Sequence, residues 1–221
     1  MTMTDTRTQI QDALQFRHAC KVFDAGRKID DGDFHTILEA ARLSPSSFGY
    51  EPWRFLVIQN TDLRQQLLPV TWGGQRQIPS CSHFVAILAR TSGMEPGGSH
   101  TLHMMRDILQ LPPERMAMRE PTYRKFHQQD FHLDTPRQVF DWCCRQTYIA
   151  LADMMLAAAM LGIDSCPIEG FESDAANHVL AQAGVMNPDE WGLSVMVAFG
   201  YRIEAQPVKK RQPATSVIQW L

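Results

Sequence analysis

The chain has 221 residues, 44% hydrophobic and 20% charged, with 21 basic against 24 acidic side chains and a formal net charge of −3. That balance suits a globular protein with one sizeable core, and it lacks the basic excess that nucleic-acid binding calls for. The longest apolar run, "YIALADMMLAAAMLGI", is interrupted by Asp153 and short for a bilayer span, so no membrane partner is expected. The opening "MTMTDTRTQIQDALQF" is polar and carries no apolar signal core, and the expected location is the cytoplasm.

A first helix is predicted over 7–18, where Ile10, Ala13, Leu14 and Arg17 recur at helical spacing. Asp30 or Asp31 can cap a second, 33–43, whose Phe34, Ile37, Leu38 and Ala41 share a face. Next comes "SPSSFGYEPW" (44–53), dense in serine, proline and aromatics for a simple connector. Phe55–Ile58 reads as a buried strand, 61–68 as a short helix, "TWGGQRQIPSC" as a glycine break, and 83–90 as a second buried strand. Residues 91–137 contain Gly93, Pro96, Gly97, Gly98, Pro112, Pro113, Pro121 and Pro136, and are expected as short helices and mobile loops covering a pocket.

The clearest helix is 138–161, stopped by Gly162, with an alanine-rich second half fit for burial on more than one side. "IDSCPIEGF" reads as a short strand entering a turn, "SDAANHVLAQAG" as a capped helix ending at Gly184, and 192–202 as a third buried strand. The tail "PVKKRQPATSVIQWL" ends in apolar residues and is expected to pack on something, such as a second subunit. Strands and helices alternate without regular βαβ spacing, which predicts an α+β fold in a single domain, 1–221.

Five cysteines, two of them adjacent (Cys143 and Cys144), form no C-x-x-C pair and are expected as reduced, mostly buried thiols. His100, His103, His127 and His132 belong to no metal-ligand motif; they are read as solvated, and no metal is expected.

Four segments carry candidate chemistry: Arg17-His18-Ala19-Cys20-Lys21 with two cations four apart, the Ser-Pro-Ser-Ser loop, Pro167-Ile168-Glu169-Gly170-Phe171, and Lys209-Lys210-Arg211. Singly, each has an ordinary reading as a turn or a solvated charge. In this order, "RHACKVFD", "SPSSFGYEPWRFLVI", "CPIEGF", "AFGYR" and "KKRQP" resemble the signature blocks of the FMN-dependent nitroreductases, in particular the oxygen-insensitive NAD(P)H nitroreductase group. The similarity runs from about residue 10 to 213 and is weakest over 91–137.

The resemblance implies a mostly antiparallel central sheet flanked by helices, in an intertwined homodimer with an FMN at each of two interface sites. NAD(P)H would be co-substrate, and nitroaromatics, quinones or similar planar acceptors would be reduced by ping-pong hydride transfer. It also implies residue roles. Arg17, Lys209 and Arg211 match the phosphate-binding cations, with His18 and Ala19 in the same segment, and Lys21 matches the lysine beside flavin N1 and the C2 carbonyl. Glu169 and Gly170 match the turn whose N–H faces N5, and with Lys21 they form the implied catalytic set; Pro167 and Ile168 line the ring. Pro45, Ser46 and Ser47 would come from the partner chain, while Gly74 and Gln77 match further flavin contacts. Phe48, Phe126 and Phe131 are candidates for the substrate-pocket wall.

The chain departs from the pattern at Ala19, where relatives often have Ser, at Gly49 and Gly74, where Asn is common, and at Gln77 in place of a lysine, with Gln75 or Arg76 near enough to compensate. Two alternatives stay open: a specialised pteridine or activated-alkene reductase, and a non-enzymatic dimeric flavin-binding protein.

Overall fold

A computed structural model describes residues 3–221, with side chains from Asp5 onward. Its centre is a sheet of β1 (Trp53–Val57), β2 (His83–Arg90), β3 (Asp164–Ile168) and β4 (Trp191–Gly200), in the order β1-β2-β4-β3, with every pair antiparallel. The register sets Leu56 opposite Ala86, Ala86 opposite Met196, and Cys166 opposite Ala198. A bulge between Ile87 and Leu88 leaves Ser194 unmatched in the β2–β4 ladder, and its hydroxyl meets Thr147 Oγ1 at 2.8 Å.

The strands read as unbroken apolar runs because both faces of the sheet are covered. Alternate residues point opposite ways. Phe84, Ala86, Leu88, Cys166, Met196 and Ala198 pack under α3 (Thr61–Leu67) and α8 (Ser173–Gln182), through Leu63, Leu67, Ala176 and Leu180. Val85, Ile87, Val195, Val197 and Phe199 pack against α2 (Asp31–Arg42) and α7 (Pro136–Met160), through Phe34, Ile37, Ala41, Ala150, Leu151, Met154 and Ala158.

Local chemistry fixes the helix ends. Asp30 caps α2 by accepting the Gly32 N–H at 2.8 Å. Thr135 and Gln138 form a capping box at α7 with Pro136 in the first turn, and Gly162 leaves the helix at φ +72°. α1 spans Met3–Phe16, starting and ending earlier than the predicted 7–18, so Arg17 and His18 fall beyond it, where Ala19 bridges Ser165 on the outer edge of β3. α8 lacks the expected cap: its N-cap residue is Glu172, with no side-chain bond, and Ser173 is already helical.

Residues 91–137 contain the expected short helices, but one of them runs through a proline. They hold α5 (Ser99–His103), a π-turn at Met104–Ile108, α6 (Pro113–Lys125) and a second π-turn at Phe126–Asp130. Pro121 lies inside α6 rather than ending it. Tertiary packing overrides the breaker: Tyr123, two residues on, is buried among Tyr50, Met94, Met105 and Trp142, and its hydroxyl donates to the Met94 carbonyl at 2.6 Å. Two short helices complete the chain, α4 (Gln77–Ser80) and α9 (Ala214–Val217). No helix among the described residues is long and apolar enough to cross a membrane.

The histidine reading is corrected in part. His103 and His132 are exposed, but His100 and His127 are buried. His100 Nε2 donates to the Tyr50 carbonyl at 2.7 Å, whereas both ring nitrogens of His127 lack a partner. All five thiols are free, four of them buried.

Burial is the leading cause that lowers the pKa of His83, His100 and His127 below the ordinary 6.5. Each is therefore neutral in the fold at a pH where the unfolded chain already takes up a proton. Stability is expected to be level above about pH 7 and to fall as pH drops below about 6.5. Thermal unfolding across that range checks this, and His127→Leu is expected to remove part of the acid-side loss.

Candidate functional site

The site lies along the outer edge of β3 and is assembled from the two ends of the chain. Asp164, only 3% exposed, opens β3 and collects contacts from both ends. It accepts the Arg202 backbone N–H at 2.9 Å and Arg202 Nε at 3.0 Å, and His18 Nδ1 lies 3.6 Å from its other oxygen. The Arg202 guanidinium also sits 4.1 Å from the Phe16 ring centroid and donates to Gln206, whose amide reaches the Gln15 carbonyl. Thus the end of α1, the start of β3 and the tail after β4 are held as one unit.

Those contacts bring cations together. Lys209 Nζ donates to the carbonyls of Leu14 and Arg17 at the C-terminal end of α1, a natural seat for a cation. Partial burial lowers its pKa, and the like charges of Arg17 and Arg211 lower it further. Among the described residues no carboxylate forms an ion pair with Arg17, Lys21, Lys209 or Arg211. Lys209 thus feels two like charges, none of the three cations has an acidic partner among the described residues, and such a group has the charge to receive an anion.

Lys21 belongs to the same edge but reaches a different place. It lines a crevice of about 220 Å³ with His18, Ala19, Arg202 and Glu204. Its Nζ comes within 3.9 Å of Cys166 Sγ, and the buried Gln77 Nε2 approaches the same sulfur at 3.6 Å.

Beyond Cys166, Pro167 is half-buried, Ile168 buried and Glu169 exposed, and the chain then turns at Gly170. Gly73, not Gly74, meets this turn: its N–H donates to the Gly170 carbonyl at 2.7 Å. A Cβ on Gly170 would fall 2.8 Å from Gly73 Cα and 2.9 Å from Trp72 Cε3, so only glycine permits the approach. The Gly170 N–H donates to no described group. Gly74 is packed between Thr71 and Ile78, Gln75 is spent on the carbonyls of Leu68 and Thr71, and Arg76 pairs with Glu204.

The Ser-Pro-Ser-Ser loop is pinned to α7. Ser44 Oγ donates to Asp153 at 2.7 Å, the Ser47 N–H donates to Gln146 Oε1 at 2.9 Å, and Ser46 Oγ accepts the Glu51 N–H. Pro45 is exposed between them. Phe48, Phe126 and Phe131 form one aromatic cluster, with centroids 5.1 Å (Phe48–Phe126) and 4.3 Å (Phe126–Phe131) apart. Phe48 and Phe126 also meet the Tyr123 ring, and Phe126 meets Trp142.

Sequence reasoning missed several members. Trp72 is 71% exposed beside Gly170. Tyr148 donates its hydroxyl to Glu169, and burial followed by that bond raises the phenol pKa. The Asp164–Arg202 pair and Cys166 were also unforeseen. No local motif marks any of them, because each acquires its role from a residue 20 or more positions away.

The fold is a helix-covered antiparallel sheet with unpaired cations along one edge. The sequence profile described as "Nitroreductase family" matches residues 14–201. "Putative NAD(P)H nitroreductase YfkO" of Bacillus subtilis (strain 168) is 44% identical over 221 residues, 99% of this chain and 100% of that one. A like-named protein of Staphylococcus haemolyticus (strain JCSC1435) is 47% identical over 220 residues, again 99% and 100% of the two chains. A solved "putative nitroreductase in complex with FMN" from Exiguobacterium sibiricum 255-15 shares the fold at a TM-score of 0.75 and 23% identity, over 96% of this chain and 97% of that one. The chain belongs to the nitroreductase family.

Gly170→Ala is expected to cost about 1–3 kcal/mol, the usual penalty for overpacking, measured by denaturant unfolding. Asp164→Ala leaves Arg202 without its partner and is expected to cost about 3–5 kcal/mol.

Proposed function

We propose that this single-domain chain is an FMN-dependent NAD(P)H oxidoreductase. It works as a homodimer and reduces nitroaromatics, quinones or similar planar acceptors by ping-pong hydride transfer. The observation that carries the reading is the unpaired cation cluster Arg17–Lys209–Arg211, built from both chain ends on the same edge as Lys21 and the bare Gly170 N–H. Family membership and the flavin named for the structural relative support it.

The residues present fit FMN. Arg17, Lys209 and Arg211 would hold its phosphate, with Arg supplying a planar fork. Lys21 would set a positive charge beside the N1 and C2-carbonyl edge, where negative charge develops. The Gly170 N–H, still in need of an acceptor, would face N5, and Pro167 and Ile168 would line the ring. Gln77, buried beside Cys166, would stand behind Lys21. When bound, the flavin supplies the hydride chemistry, taking hydride from NAD(P)H and passing it to the acceptor. Tyr148 would fix the Glu169 carboxylate at the rim of the turn.

Apolar surface supports the dimer. Ile10 and Leu14 of α1, Ile149 and Met160 of α7, and Val217, Ile218, Trp220 and Leu221 of the tail are exposed in the single chain, Trp220 by 93%. Pro45, Ser46 and Ser47, held against α7 yet open outward, would complete the partner's site.

The purified protein is expected to be yellow, dimeric on gel filtration, bleached anaerobically by NADH or NADPH, and recoloured by a nitroaromatic or quinone. Absence of flavin together with failure to take up added FMN overturns the reading; a kcat/KM preference for activated alkenes or pteridines over every nitro compound overturns the acceptor class. Lys21→Ala is expected to lower the flavin reduction potential and slow hydride uptake more than it weakens FMN affinity. Arg211→Ala is expected to weaken FMN retention by about 1.5–3 kcal/mol, the range for one charged hydrogen bond, read as flavin loss on dilution.

A further inference from the structure

A second anion-seeking place lies away from the β3 edge. Phe48, Leu111, Arg115, Met118, Arg119 and Thr122 line a groove of about 430 Å³ between the 44–50 loop and α6, a size in the range of small-molecule sites. Arg115 and Arg119 are one helical turn apart and project from the same face of α6. Neither forms an ion pair among the described residues, and no carboxylate lines the groove. The neighbouring Glu120 is taken by Arg124.

Arg119 is held in place. Its Nη2 donates to the Phe48 carbonyl, and its guanidinium lies 5.8 Å from the Phe48 ring centroid and 5.6 Å from that of Tyr50. Phe48 sits at φ 59° and ψ 4°, a left-handed conformation costing a non-glycine residue about 1–2 kcal/mol. That strained backbone presents the carbonyl to Arg119. Arg115 is exposed and has no such tether. The remaining wall, from Leu111, Met118 and the Phe48 ring, is apolar.

We propose that this groove binds the anionic end of a substrate, a phosphate or carboxylate carried on an aromatic or apolar body. Arg115 makes the principal contact, and Arg119 is pre-positioned beside it. The inference rests on the proposed function for its ligands: the groove adjoins Pro45–Ser47, the stretch assigned to the partner's flavin site, so a molecule visiting that site can extend into it. The same chemistry has two sources, the 2′-phosphate of NADPH or the carboxylate of an acceptor.

The test is equilibrium titration of the protein as purified, and of its Arg115→Glu and Arg115→Gln variants, with two matched pairs. These are adenosine 2′,5′-bisphosphate against AMP, and 4-nitrobenzoate against nitrobenzene. In one pair the member with the extra anionic group is expected to bind roughly tenfold tighter, the scale of one charged hydrogen bond. Arg115→Gln is expected to reduce that preference and Arg115→Glu to abolish it. Preference in the adenosine pair assigns the groove to the co-substrate, and preference in the benzene pair assigns it to the acceptor. Equal affinities within both pairs, or a preference that survives in Arg115→Glu, overturn the proposal. Flavin content is read separately from the spectrum, so failure of the flavin reading and failure of the groove are distinguishable.

Discussion

The architecture of the site depends on the buried carboxylate of Asp164. A charge in that position is costly unless its lone pairs are met. The Arg202 backbone N–H and Nε, after β4, meet one oxygen, the Arg202 Nη2 lies 2.9 Å from the other, and His18, after α1, stands 3.6 Å from that second oxygen. Because one charge must be satisfied by groups so far apart in sequence, the chain termini converge there. Arg17 and Lys209 then become neighbours as a geometric consequence, and Lys209 closes the junction by taking up the last carbonyls of α1.

The sheet supplies the rigid support for this junction. β3 is an edge strand, paired on one side only with β4, and its other side is left for the 19–20 backbone, where Cys20 N–H donates to the Ser165 carbonyl at 3.0 Å. That arrangement covers the first part of an otherwise open edge and leaves the end of β3, from Pro167 onward, without a strand beside it. The approach of Gly73 to Gly170 fixes the turn without side chains, so the wall there is backbone. On the opposite side, α7 performs two tasks along one helix: its Ala150–Ala158 stretch packs on the sheet, while Gln146 and Asp153 hold the serine loop.

Much of this was legible along the chain. The strand at 83–90 matches the predicted bounds, β1, β4, α2, α3 and α7 fall within two residues of expectation, and β3 lies inside the segment read as a strand entering a turn, because apolar runs, Asp30 and Gly162 are local signals. The middle was so only in part. Its glycines and prolines suggested short helices and mobile loops; the helices are there, yet Pro121 is accommodated inside α6 because Tyr123 and Phe126 bury against Trp142 and Phe48, an energy no local rule contains. His100 and His127 were read as solvated for the same reason: nothing adjacent to them in sequence announces the Tyr50 carbonyl or the aromatic cluster that encloses them.

By itself, the sequence determined the α+β class, the helix ends set at Asp30 and Gly162, and the four segments whose residue types suit an anionic cofactor. Those are consequences of short-range periodicity and chemistry. Tertiary structure alone decided that Gly73 rather than Gly74 meets Gly170, that Tyr148 holds Glu169, and that Arg115 and Arg119 open onto the serine loop. Each is a contact across the fold, and such contacts arise only when burial of distant apolar segments brings their polar neighbours within hydrogen-bond reach.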